Sequence, residues 1–266
     1  MNDRVTVSID QGVADVRFVR ADKMNALDDA MFDAIIAAGQ RLKEERGLRA
    51  VVLSGEGKAF CAGLDTSNFQ RAADAGRETR PQGRLLPRTH GIANRPQYAV
   101  WVWREVPVPV IAAVHGVAFG GGFQLILGAD MRYVAPDTKL SVMEIKWGLV
   151  PDMAGTLLLR NLVRDDIMRD LSYTGRIFTG EEAFKMGLAT RLTTNPHAEA
   201  LQSAREIAQK NPDAIRAAKR LMNALPVMPD AEGLLAESRE QEALSGKPNQ
   251  IDAVMSQMQR RAPNFT

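Results

Sequence analysis

Cysteine is almost absent: Cys61 is the single one in 266 residues, so no intrachain disulfide can form, and a reducing, cytoplasmic location is the expectation. Histidine is scarce as well. His90, His115 and His197 lie far apart, so neither a metal cluster nor a histidine-based catalytic triad is expected. Long apolar runs are missing too. The longest candidate, residues 106–114, contains two prolines and falls short of the roughly 18 residues that span a bilayer. The opening MNDRVTVSID carries charges and runs into a strand pattern, unlike the basic-then-apolar order of a signal peptide; no membrane partner is expected. Charge of one sign is also lacking. Thirty-four Lys and Arg face 32 Asp and Glu, a formal net charge of +2, and no cluster argues for nucleic acid.

What the chain does have is 45% hydrophobic residues, enough for a sizeable core without covalent staples. Val5, Val7 and Ile9 alternate with polar residues, Gln11-Gly12 makes a turn, and residues 13–19 alternate again, which predicts a β-hairpin. Met31, Ile35, Ala38 and Leu42 recur at helical spacing before Gly47, predicting a helix over 28–46. Strands at 50–53, 110–114 and 131–134 alternate with helices ending at Glu105 and spanning 123–127; this order predicts an α/β fold. Residues 66–95 are rich in Arg, Gly, Pro, Asp and Thr, too polar for core, and predict a long surface segment, either an element of the substrate entrance or a plain loop. After Met153 only helices are expected, at 154–163, 166–173, 180–186, 197–210, 212–223, 231–245 and 250–260.

Two glycine-bearing turns each follow an apolar strand and open toward a helix: Phe60-Cys-Ala-Gly-Leu-Asp65, and His115-Gly-Val-Ala-Phe-Gly-Gly-Gly122. Glycines at a helix start let main chain approach a ligand and leave N–H donors aimed at it. Side by side, such turns would make an oxyanion hole. Singly, each fits tight helix–sheet packing equally well. Neither has the Walker or G-x-G-x-x-G order, which counts against nucleotide hydrolysis and hydride transfer.

Taken with Ala129-Asp-Met-Arg132, Glu144-Ile-Lys-Trp-Gly-Leu-Val-Pro151, Lys23-Met-Asn-Ala-Leu27 and Gly180-Glu-Glu-Ala-Phe-Lys-Met-Gly-Leu188, these runs resemble the crotonase (enoyl-CoA hydratase/isomerase) superfamily in order and spacing. The resemblance implies a crotonase-type ββα spiral over residues 1–195 carrying an acyl-CoA site, and a C-terminal helical region over 196–266 that trimerises or caps the pocket. It implies a homotrimer or homohexamer. It also implies an acyl-CoA thioester as substrate, with no cofactor beyond the coenzyme A that the substrate carries. The oxyanion donors would be the Leu64 and Gly121 N–H groups, and Lys23, Ala26, Ala62, Leu64 and Asp65 would lie along the coenzyme A site. Lys23 reads equally well as a solvated loop lysine.

Hydratases of this superfamily use two glutamates, one shortly after the glycines and one about twenty residues on. Here those positions hold Gln124 and Glu144. An amide orients groups by hydrogen bonding but does not exchange a proton at neutral pH. Glu144 is therefore the expected principal acid/base, since proton removal beside a thioester needs one well-placed carboxylate. Asp152, eight residues later, matches the acidic partner of dienoyl-CoA isomerases, or else is a turn aspartate after Pro151. Double-bond isomerisation is preferred. Hydration by Glu144 with Gln124 or Asp152, and acyl-CoA binding without catalysis, are the alternatives. His115 and Cys61 are expected to be packed structural residues.

Overall fold

The structure, a computed structural model, describes residues 3–65 and 85–266. The expected hairpin forms: Val5–Asp10 (β1) pairs antiparallel with Val13–Phe18 (β2), Val5 opposite Phe18 and Asp10 opposite Val13. Both turn residues, Gln11 and Gly12, have positive φ, the geometry that lets a two-residue turn follow strand twist. Parallel to β2 lie Ala50–Gly55 (β3), Val110–Val114 (β4), Met131–Val134 (β6) and Arg191–Leu192 (β9), giving a six-stranded sheet of order β1-β2-β3-β4-β6-β9. A second sheet, β5-β7-β8, joins Val117–Phe119 (β5), Lys139–Ser141 (β7) and Phe178–Thr179 (β8).

Burial on both faces explains why β3 and β4 read as continuous apolar runs rather than alternations. Val51, Leu53, Val110, Ala112 and Val114 point into the main core, while Ala50, Val52, Ile111 and Ala113 point the other way, against Ala200 and Ala204 of the helix Pro196–Ala208 (α7). The main core is filled by Asp29–Glu44 (α1), with Met31, Phe32, Ile35 and Leu42 buried, and by Arg95–Glu105 (α2), with Trp103 fully buried. Asp28 caps α1 by accepting the Met31 N–H at 2.8 Å; a cap of this kind contributes about 1 kcal/mol. Asn94 and Gln97 form a capping box at the start of α2. The expected surface segment 66–95 is thus helical in its last residue, its stretch 85–94 is irregular, and 66–84 lie outside the described residues. Between β5 and β6 the short helix Gly121–Leu127 (α3) is buried along its whole length.

The second half departs from an all-helical reading. Besides Gly155–Leu159 (α4), Asp165–Thr174 (α5), Gly180–Lys185 (α6), α7, Pro212–Ala224 (α8), Asp230–Leu244 (α9) and Pro248–Gln259 (α10), it contributes β8 and β9. Each is two residues long, too short to carry a period of its own. The helix expected over 154–163 begins at Gly155, because Ala154 is left-handed at φ 64, and ends at Leu159, where the chain tightens into three-residue turns. Lys219 on α8 donates to the Trp103 and Val108 carbonyls at 3.1 and 2.8 Å and pairs with Asp130 at 2.8 Å, fastening this helix to the core.

Candidate active site

Pairing of main chain brings the two glycine turns together. Cys61 donates its N–H to the Val117 carbonyl and accepts from the Phe119 N–H, both at 3.1 Å, while Leu27 donates to Gly63 at 2.8 Å and accepts from Asp65 at 3.1 Å. Leu64 is thereby held as a single parallel bridge against Leu27, and Cys61 against Ala118. Gly63 is required here on two counts. Its φ is +89°, and a methyl group on it would sit 2.5 Å from the Phe119 carbonyl oxygen and 3.7 Å from the Gly121 nitrogen. The main chain of one turn therefore touches the mouth of α3. Among the described residues neither the Leu64 nor the Gly121 N–H donates a main-chain hydrogen bond. Two free donors on adjoining turns, one at a helix start, suit an oxygen that gains negative charge.

Glu144 opens a short 3-10 turn, Glu144–Trp147, separated from the end of β7 by two residues. Its carboxylate lies over the same mouth, since a side chain added at Gly120 would meet Glu144 Oε1 at 3.3 Å. Gln124, one turn into α3 and 1% exposed, donates from Nε2 to Glu144 Oε1 at 2.6 Å. Its own Oε1 accepts the Met153 and Gly155 N–H groups, both at 2.9 Å. The amide is oriented by those two donors, which fix its oxygen toward 153–155 and its nitrogen toward Glu144. Glu144 Oε2 is buried with no hydrogen-bond partner among the described residues. Burial holds the Glu144 carboxyl above the ordinary carboxylate range; its own backbone N–H and the Gln124 amide oppose the rise, and the Asp152 charge adds to it. A carboxylate with one oxygen pinned and the other bare beside an oxyanion cradle can accept a proton from a carbon acid.

Gly121, Gln124 and Glu144 are thus brought to one place, with Leu64 across from them. Asp152 is exposed at the protein surface and reaches Glu144 through its field. Lys23 lies exposed in a short helical turn, Ala26 is buried, and the Ala62 N–H donates to the Met24 carbonyl at 2.9 Å, so the 23–27 and 61–65 segments form one wall. Asp65, expected along the coenzyme A site, is buried and pairs with Arg20 at 2.7 Å. Cys61 is a structural thiol: it is fully buried, donates to the Asn25 carbonyl at 3.1 Å, and burial pushes its thiol up to about 12. His115 is half-buried and bonds the Gly57 carbonyl at 3.0 Å. Among the described residues no group of three or more His, Cys, Asp or Glu could hold a metal, and no helix is long and apolar enough to cross a membrane. Arg20, Met153 and Gly155 enter the site without having been marked by the sequence, and Leu27 had been marked only as the end of a motif; Leu27, Met153 and Gly155 act through main chain, which leaves no side-chain signal.

A family model described as enoyl-CoA hydratase/isomerase matches residues 8–266. The carnitinyl-CoA dehydratase of Salmonella typhi is 35% identical over 216 residues, 79% of this chain and 77% of that one. The human mitochondrial Delta(3,5)-Delta(2,4)-dienoyl-CoA isomerase is 33% identical over 225 residues, 81% of this chain and 66% of that one. Among solved structures, the enoyl-CoA hydratase of Bacillus anthracis matches with a TM-score of 0.88 and 25% identity, over 98% of each chain. The fold is therefore the crotonase fold, and the protein is an enzyme that belongs to the enoyl-CoA hydratase/isomerase family.

Proposed function

We propose that the enzyme moves a carbon–carbon double bond within an acyl-CoA thioester, with Glu144 as the one proton carrier. Glu144 Oε2 takes a proton from the carbon next to the thioester carbonyl, the electron pair runs into the carbonyl oxygen, and the Leu64 and Gly121 N–H groups hold that oxygen as it becomes an enolate. Return of the same proton to the γ carbon completes the shift, and nothing is oxidised or lost. No cofactor beyond the coenzyme A of the substrate is needed. The observation that carries this reading is the engagement of Gln124: both its amide oxygen and its amide nitrogen are committed inside the protein, so it is not placed to carry a second proton. A panel of 3-enoyl, 2-enoyl and dienoyl-CoA thioesters, followed by NMR and mass spectrometry, tests it. Migration at constant mass is the expected result. Binding without any conversion would sink the proposal.

Addition of water is the second reading. The hydratase name of a structural relative favours it, and the same panel separates the two, because hydration adds the mass of one water.

The C-terminal helices support assembly. Leu234, Ile251 and Met258 are 66%, 51% and 75% exposed, apolar side chains of the kind that subunit contacts cover. Light scattering should give three or six times the 29.2 kDa chain mass; a value near one chain mass would rule out the trimer and hexamer.

A further inference from the structure

We infer that Arg20 and Asp65 are positioning residues for the oxyanion donor at Leu64; the inference rests on the reading of that N–H as a donor to the thioester oxygen. Leu64 is gripped from both sides through Leu27, whose N–H bonds Gly63 at 2.8 Å and whose carbonyl bonds Asp65 at 3.1 Å. Those two bonds couple the donor turn to the 20–27 segment. The Ala62 N–H bond to the Met24 carbonyl at 2.9 Å backs them on the near side of the turn. Arg20 adds a side-chain tie on the far side. Its Nη1 donates to the Ala26 carbonyl at 2.9 Å and meets Asp65 Oδ2 at 2.7 Å, so a single nitrogen ties the residue before Leu27 to the residue after Leu64. Its Nη2 stands 3.4 Å from Asp28 Oδ2, and Asp28 in turn is paired with Arg4 at 3.0 Å and caps α1. A ring of contacts runs from Arg20 through Ala26, Leu27, the donor turn and Asp65 back to Arg20, anchored to the first helix.

The pair is well shielded. The Arg20 and Asp65 side chains are 14% and 11% exposed, where screening by salt is weak. A guanidinium is suited to the task because its planar fork addresses a carbonyl and two carboxylates at once, which a lysine ammonium does not reproduce. The clamp should act on rate rather than on binding. A thioester carbonyl accepts a hydrogen bond weakly and its enolate strongly, so a mis-aimed donor is felt mainly in the transition state.

Two readouts test this on Arg20→Met, Asp65→Asn and the double variant, each referred to the folded fraction from a thermal melt. In the first, kcat falls about tenfold or more while KM stays within about threefold. Asp65→Asn, which keeps an acceptor, loses less than Arg20→Met, and the double variant is no worse than the worse single one. The second readout needs no turnover. A bound 3-ketoacyl-CoA enolises with a near-ultraviolet absorbance, and the pH midpoint of that enolisation should rise by about one unit in Arg20→Met, the equivalent of a tenfold weaker hold on the enolate. Equal midpoints in wild type and variants, or a KM rise that accounts for the whole loss in kcat/KM, would overturn the clamp and leave the donor reading intact. A wild-type protein that binds the ketoacyl thioester without lowering its midpoint would overturn the donor reading and the clamp with it.

Discussion

Glu144→Gln should abolish turnover almost completely, lowering kcat by about a thousandfold, within the range that a positioned general base supplies. The replacement keeps the geometry. The new amide would still present an oxygen to Gln124 Nε2, which in the wild type stands 2.6 Å from Glu144 Oε1, so KM should change little and the loss should fall on kcat. The wild-type rate should follow ionisation of Glu144: full above its raised pKa, and falling as pH drops through a value above the ordinary carboxylate range. The residual rate of the variant should lack that limb. Stability should move the opposite way. A carboxyl whose pKa is raised by folding favours its neutral form in the native state, so its contribution is fully present below the unfolded value and is lost as pH rises through the raised one. At neutral pH the ionised Glu144, with Oε2 bare, is therefore a local cost to the fold. Glu144→Gln removes that cost, and its melting temperature at neutral pH should equal or exceed that of wild type, with the difference vanishing in acid. A variant that is equally active, or one that melts well below wild type at neutral pH, contradicts Glu144 as a buried base.

The side chains that meet at the candidate site were legible where they stand at fixed spacing. Gln124 follows the glycines by one helical step, Glu144 follows β7, and the structure joins their side chains. The hairpin, α1, β3 and β4 were legible for a different reason: each is long enough to show a period or a continuous buried run. What sequence reading missed is short or relational. β5 has three residues and lies inside the glycine motif, where the glycines read as a turn; its pairing with β7 arises only once the chain has come back. Arg20 looks like any arginine at a strand end, and nothing near it in the chain announces that Asp65 will be its partner. The same pairing gives Asp65 a structural neighbour that its placement along a coenzyme A site did not anticipate. Nor does any residue type mark the Met153 and Gly155 N–H groups that orient the Gln124 amide; main-chain donors are common to every residue and acquire a role only through tertiary position.

Gln124→Glu turns the distinction between isomerase and hydratase into an experiment on one amide. One oxygen of the new carboxylate would keep the place of the Gln124 amide oxygen, accepting from Met153 and Gly155 N–H groups at 2.9 Å. The other would replace a nitrogen that stands 2.6 Å from Glu144 Oε1. Two carboxylate oxygens that close cannot both be ionised, so the pair would share one proton and titrate in two coupled steps. The side chain with two N–H donors keeps its charge more readily, which leaves the proton on Glu144 until a higher pH. Isomerisation at neutral pH should therefore fall by about tenfold to a hundredfold, and recover as pH is raised, because each unit of pKa increase removes tenfold of the ionised base. At the same time the variant would hold glutamates at both of the positions, 124 and 144, where the hydratases that this chain resembles carry them. Water addition to a 2-enoyl-CoA should appear in Gln124→Glu, or rise relative to migration. An unchanged pH–rate profile would mean that Gln124 does not govern the protonation of Glu144. If wild type already adds water faster than it moves double bonds, a neutral amide at this position is no barrier to hydration, and the preference for isomerisation falls.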